Sequence, residues 1–249
     1  MSEPTDIHQL ENLGHEVLTL MIRHDQLRPF INSIVTEKEL RSTELNQAEH
    51  QLAAKTYRQR HNLTSPEDVQ RHCKEHGFNQ DQFQWQVQLQ EKILRTSKNK
   101  FARKAELHYL TRKEKFDRIS YSQLIVNDQH LAQELFLRLN ENEANFAELA
   151  KELSSNTGRR PQWQVGPIVM GRVPKPLAKP LQSITPGTLL EPINVQGMWV
   201  VARLDQYQPT EFDENMEQQM CLELFQEHIN QLVDDEMKRI IKKLSPKAE

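Results

Sequence analysis

Apolar residues recur every three or four positions along most of the chain, the period of a helix with one buried face. Leu10, Leu13, Val17, Leu20, Met21 and Leu27 keep that spacing, which predicts one helix over 7–31, disturbed at Pro29. Thr36 followed by Glu39 has the form of a capping box and predicts a second helix reaching about residue 60. Ser65-Pro66-Glu67-Asp68 starts another, with serine at the cap and proline at the first helical position, and Gly77 stops it after His76. Asn79 opens a longer helix with Phe83, Val87 and Leu94 near one face and Trp85, Leu89 and Ile93 beside it, extending to residue 110 or beyond.

From Ile119 the period shortens. Ser120 to Val126 is β-prone and is closed by Asn127-Asp128. Asp128 can cap a helix carrying Leu131, Leu135, Phe136 and Leu139, and a second helix carries Phe146, Leu149, Ala150 and Leu153. Residues 154–176 read as loop. A Pro186-Gly187 turn precedes Leu189-Leu190, and Met198 to Leu204 is the clearest strand. After Pro209 a last long helix keeps Met216, Met220, Leu224, Ile229, Leu232, Val233, Met237 and Ile240 on one seam. This order places a small α+β domain inside a helical protein.

Composition narrows the function classes. The 249 residues suffice for one large or two modest domains, and only 7 are glycine. A net charge of -3 gives no global bias toward nucleic acid or anionic membrane. Cys73 and Cys221 stand far apart, which is no disulfide framework, and they read as part-buried free thiols. The N-terminus has neither a basic run nor an apolar one, so no secretory leader is expected and the expected location is cytoplasmic, or periplasmic if a leader has been trimmed. No run approaches the 18 apolar residues of a membrane span.

The middle of the chain resembles the parvulin family of peptidyl-prolyl isomerases. Leu124-Ile125-Val126 parallels the family's opening strand, and Asn145 to Ser154, containing Phe146-Ala147-Glu148-Leu149-Ala150, is close to its helix motif. Ile184-Thr185-Pro186-Gly187 and Gly197-Met198-Trp199-Val200-Val201 parallel its closing turn and final strand. The flanking helices resemble the module of SurA-type and PrsA-type foldases, in which a helix following the parvulin domain returns to complete the N-terminal module. The stretch from Val165 to Leu181 resembles signal-less forms found beside bacterial peptide-export systems.

The resemblance implies an α+β fold. A discontinuous helical chaperone module over 1–115 and 210–249 would hold an inserted parvulin-like α/β domain over 119–208. It also supplies positions for an isomerase site. The first-strand histidine of the family falls on Gln123, the Cys/Asp position near Asn156, and the final-strand histidine on Trp199. Of the family's Gly-Gly-Asp-Leu-Gly stretch, here Gln162 to Gly166, only the last glycine is kept, and the walls of the proline pocket fall around Arg172-Val173 and Pro176-Leu177. Every expected polar group is changed while the apolar and turn positions remain. The function so implied is binding of unfolded or export-bound polypeptide, with Trp163, Met170, Arg172, Leu177 and Met198 as candidate peptide contacts and no cofactor. Two alternatives stay open: a working isomerase with a divergent site, and an accessory protein of a peptide exporter.

Two further signals have simple readings. His72-Cys73-Lys74-Glu75-His76 fits a zinc-peptidase pattern, but Gly77 ends the helix at once, and two exposed histidines near a helix C-terminus account for it. Residues 95–118 carry nine Lys/Arg against three Asp/Glu, and residues 205–236 carry ten Asp/Glu and no Lys/Arg. Docking of the two within one chain, or a plain solvated face, accounts for the basic run without nucleic acid.

Overall fold

A computed structural model describes residues 14–155 and 163–244. The chain divides into a helical unit, 1–108 with 213–249, and a sheet unit, 109–212. Fold class follows the expectation: a discontinuous helical module with a small inserted α+β domain.

Helices of the first unit are α1 (His15–Arg23), α2 (Leu27–Leu40), α3 (Gln47–Arg60), α4 (Pro66–His76) and α5 (Gln80–Leu110). The single helix expected over 7–31 is two, and its residues 7–13 lie outside the described residues. The break is at Asp25, whose φ of 55° is left-handed, and the Gln26 amide donates back to the Met21 carbonyl at 2.7 Å. That is a Schellman-type closure with aspartate in place of the usual glycine. Pro29 then falls in the first turn of α2, where its missing N–H costs nothing.

Thr36 is no cap, because it lies inside α2. The box stands ten residues later, where the Asn46 side chain accepts from the Glu49 amide and Glu49 accepts from the Asn46 amide. Glu39 instead ties helices together, accepting from Lys100 and lying 3.1 Å from His228 Nε2. The signals around α4 act as expected. Ser65 caps with Asp68 in a reciprocal box, Pro66 sits at the start, and Gly77 ends the helix at φ 68°.

The last helix, numbered α10 in chain order (Glu214–Leu244), completes this unit. Its Phe225, Ile229, Val233 and Ile240 share a core with Leu27, Ile31, Ile34 and Val35 of α2. Ile31 and Val233 are fully buried, each worth about 1.5–3 kcal/mol. Met220 is also fully buried and Met237 packs on this core, so the methionines of the seam serve packing. Cys221 is buried outright, while Cys73 is half-buried. The basic and acidic helices do meet: Lys98 Nζ lies 3.6 Å from Glu214 and 3.5 Å from Glu217, and His108 lies 3.6 Å from Glu223. Among the described residues no helix is long and apolar enough to cross a membrane.

The sheet unit runs α6 (Lys113–Phe116), β1 (Arg118–Val126), α7 (Gln129–Asn140), α8 (Phe146–Ser155), β2 (Gln164–Val169), a 3-10 turn (Met170–Arg172), α9 (Lys175–Gln182), β3 (Leu189–Val195) and β4 (Met198–Gln208). Strand order is β2-β1-β4-β3, all antiparallel. Residues 154–176, expected as loop, contain β2 and the start of α9. Gly166 and Pro167 interrupt the apolar alternation of β2, and Pro174 and Pro176 mask the i,i+4 pair Leu177 and Leu181 that anchors α9.

Each sheet face has its own core. One gathers Ile119, Tyr121, Val200, Ala202 and Leu204 with Met170, Val173, Leu177 and Leu181. The other gathers Leu124, Val126 and Val201 with Ala132, Leu135, Phe146 and Leu149 from α7 and α8. Both edge strands carry a proline at a register shift, Pro167 in β2 and Pro192 in β3. The incoming and outgoing segments are laced at Asp117, which is buried and accepts from the Tyr207 hydroxyl and, at 2.8 Å, from the Thr210 amide. Thr210 in turn donates to the Phe116 carbonyl at 2.7 Å, and its own carbonyl accepts from the Tyr109 hydroxyl.

Candidate functional site

Register decides which of the expected site residues can meet. Gln123 pairs with Ala202, whose side chain lies on the α9 face, and Trp199 pairs with Val126, which lies on the α7/α8 face. Directly paired residues of an antiparallel ladder project to the same side. Gln123 and Trp199 therefore project to opposite sides of the sheet, and the structure does not bring them together. Trp199 is half-buried at the start of β4, packed against the α7/α8 core. Asn156 lies outside the described residues.

The other candidates divide in the same way. Met170 and Leu177 are 2% and 1% exposed, inside the core under α9, where they support the surface and do not form it. Trp163, like Trp199, packs against the opposite core, with its carbonyl accepting from the Gln123 amide at 2.7 Å. Arg172 is exposed on the turn before α9, so its charge stays in water. Met198 is the candidate that is both apolar and exposed.

Met198 has a neighbour that sequence reasoning missed. Ile125, opposite Val200, is 48% exposed on the same face as Met198 and Gln123. The outer end of the α9 face is thus a small apolar surface with one amide side chain at its border. Nothing in the sequence marks Ile125 as exposed, since a β-branched residue in an apolar strand reads as core.

The helical unit holds a second candidate, a groove of about 290 Å³ between α3, α4 and α5. Tyr57, His61, His72, His76 and Phe78 line it, with Leu89 and Ile93 of α5 on the apolar side. His72, expected to be exposed, is buried, because the Tyr57 hydroxyl meets its Nε2 at 2.9 Å and aromatic rings surround it. Burial pushes its pKa below the usual imidazole value, with His76 and His61 adding to the effect and Glu75 opposing it. His76 stacks on Phe78 and contacts the His72 carbonyl through Nδ1 at 2.9 Å. Among the described residues no three His, Cys, Asp or Glu are arranged to hold a metal ion.

Residues 102–215 match the PPIC-type PPIase domain family. Among solved structures, the chain is similar to PrsA of Bacillus cereus, a peptidylprolyl isomerase, at 18% identity over 93% of this chain and 88% of that one, TM-score 0.49. It is similar to PrsA of Bacillus anthracis at 15% identity over 85% and 96%, TM-score 0.43. It is also similar to one of two SurA-like chaperones of Campylobacter jejuni at 19% identity over 87% and 95%, TM-score 0.34. A comparison with curated protein sequences finds no match.

Proposed function

From a chain that carries a PPIC-type PPIase domain over residues 102–215, we propose a foldase-like chaperone that holds unfolded polypeptide and does not isomerise prolyl bonds. The observation carrying this reading is the separation of Gln123 from Trp199. Rotation about an X-Pro bond meets a barrier of ~20 kcal/mol. Lowering it takes polar groups converging on one amide from a single surface. Gln123 on one face and an indole on the other, with one donor and no acceptor, do not converge.

Holding a client asks for less. Exposed apolar side chains on a stable scaffold suffice, and Ile125 with Met198 on the sheet unit and the groove of the helical unit supply them. Export-bound polypeptide is the client class suggested by the stretch from Val165 to Leu181.

Match to a PPIase family favours a second reading, a working isomerase in which Gln123 supplies the hydrogen bond. Two measurements on one preparation separate the readings: relaxation of a cis-proline peptide, and suppression of aggregation of a denatured client. Suppression without acceleration is the expected result. Acceleration abolished by Gln123→Ala would establish the enzyme instead, and no effect in either assay would point to an exporter accessory.

A further inference from the structure

Charge is divided between the two sides of the sheet unit. On the side of α7 and α8, residues 127–155 carry six Asp/Glu against two Lys/Arg. On the other side, the chain from Trp163 to Leu190 has no Asp or Glu, and its Arg172, Lys175 and Lys179 are exposed. Leu177 and Leu181 turn one face of α9 into the core, so Lys175 and Lys179, one turn apart, stand on its outer face. The short helix α6 joins this surface. Its Lys115 carbonyl oxygen lies 3.2 Å from where a β-carbon on Gly171 would stand, and the Gln182 side-chain amide donates to the Glu114 carbonyl at 3.4 Å. Lys113 and Lys115, both exposed, therefore border the turn and α9. None of these five cations is in an ion pair with a described residue. Glu114 and Glu211 are the exposed carboxylates of the flanking segments, and Asp117 is buried and taken up by Tyr207 and Thr210.

We propose that this surface of α6, the turn and α9 docks an acidic segment of a polypeptide client, an inference that rests on the reading of the protein as a client-holding chaperone. Charge complementarity selects the occupant. Five cations against the Glu114 and Glu211 carboxylates leave an excess of positive charge, and the acidic far side of the unit turns an anionic partner toward it. Lysine and arginine stay charged at any physiological pH, so the attraction needs no titration. The make-up of the surface favours polypeptide over other polyanions. The Phe116 ring is half-buried against Tyr109 and offers no open platform for a nucleic-acid base. Val173, Leu177 and Leu181 are buried and cannot enter a lipid layer. A polypeptide can also reach the apolar surface on the same side of the sheet. α6 adjoins the start of β1 and Ile125 stands near its end, about 20 Å along the strand, which an extended segment of about six residues spans. Carboxylates of such a segment meet the cations while an apolar side chain meets Ile125 and Met198.

The test uses the full chain and two labelled peptides, Glu-Asp-Glu-Asp-Ser-Ser-Leu-Phe-Leu and its uncharged isostere Gln-Asn-Gln-Asn-Ser-Ser-Leu-Phe-Leu, followed by fluorescence anisotropy at low salt and at about 0.15 M salt. The acidic peptide should bind roughly tenfold more tightly than the isostere at low salt, and the difference should shrink as salt rises. Arg172→Gln with Lys175→Gln and Lys179→Gln, all at exposed positions, should remove the difference while the thermal melt and the suppression of aggregation of an uncharged client persist. Preference for the acidic peptide that survives the triple substitution would place its site elsewhere and overturn the proposal. Equal binding of the two peptides by parent protein that still suppresses aggregation would overturn it too and leave the chaperone reading standing. Capture of phosphatidylserine vesicles or of an oligouridylate by that same protein would then assign the surface to a membrane or to RNA. Loss of both peptide binding and aggregation suppression in the parent protein would overturn the two readings together.

Discussion

Gln123 and Trp199 stand on neighbouring strands, three register steps apart, and project from opposite faces of one sheet. Neither side chain shares a core with the other, so their contributions to stability are independent. Trp199→Ala should cost about 1.5–3 kcal/mol, less than the ~3–5 of a fully buried aromatic. Gln123→Ala should cost little, and the double variant should equal the sum within about 0.5 kcal/mol. A denaturant-unfolding cycle measures this, and strong coupling would place the two on one surface after all.

Gly166 is held at φ 119°, and a β-carbon there would lie 2.6 Å from the Ile119 carbonyl oxygen and 2.7 Å from the Ser120 α-carbon. Both obstacles are backbone and cannot step aside. Gly166→Ala should destabilise the sheet unit by about 2–6 kcal/mol, strain and clash together. Unfolding followed by fluorescence of Trp163, one residue before β2, is the readout.

Tyr207 donates to buried Asp117, and this hydrogen bond, more than burial or the neighbouring charges, pushes the phenol pKa up to about 12. A folded pKa above the free value near 10 means the stabilisation is complete below pH ~10 and fades as pH rises toward 12. Asp117→Asn should bring the Tyr207 phenol down toward the free value, seen as an earlier tyrosinate absorbance step against the parent. An unchanged titration would mean that Asp117 does not hold the phenol.

Ile229 of α10 is buried among residues of α2. Ile229→Ala should cost about 2–5 kcal/mol, and deleting residues 213–249 should expose Ile31 and Ile34 and cause aggregation. A soluble, cooperatively unfolding truncation would show that the helical unit closes without α10.

Features written in one local stretch were legible. Ser65 with Asp68, Gly77, Asp128 and the β-branched run of β4 each act through neighbours a few residues away, and the structure has them as read. The turn at Asp25 was not, because the signal for a left-handed residue is normally glycine. Prolines hid β2 and α9, since they break an apolar period without preventing an edge strand or a first helical turn. The site was harder still. That Gln123 and Trp199 face apart is a fact of register, which emerges only when strands pair. The groove takes Tyr57 and His61 from one helix, His72 and His76 from a second and Leu89 from a third, so no spacing along the chain could announce it.

Prolines on both rims of the sheet govern how it can meet an extended chain. A guest strand adds to a sheet by pairing amide after amide along an open edge, and here each rim is bent at a register shift and lacks a donor at Pro167 or Pro192. Neither side offers a straight row of hydrogen bonds to copy. A second copy of the sheet meeting either rim finds the row of main-chain donors interrupted there, which works against edge-to-edge stacking.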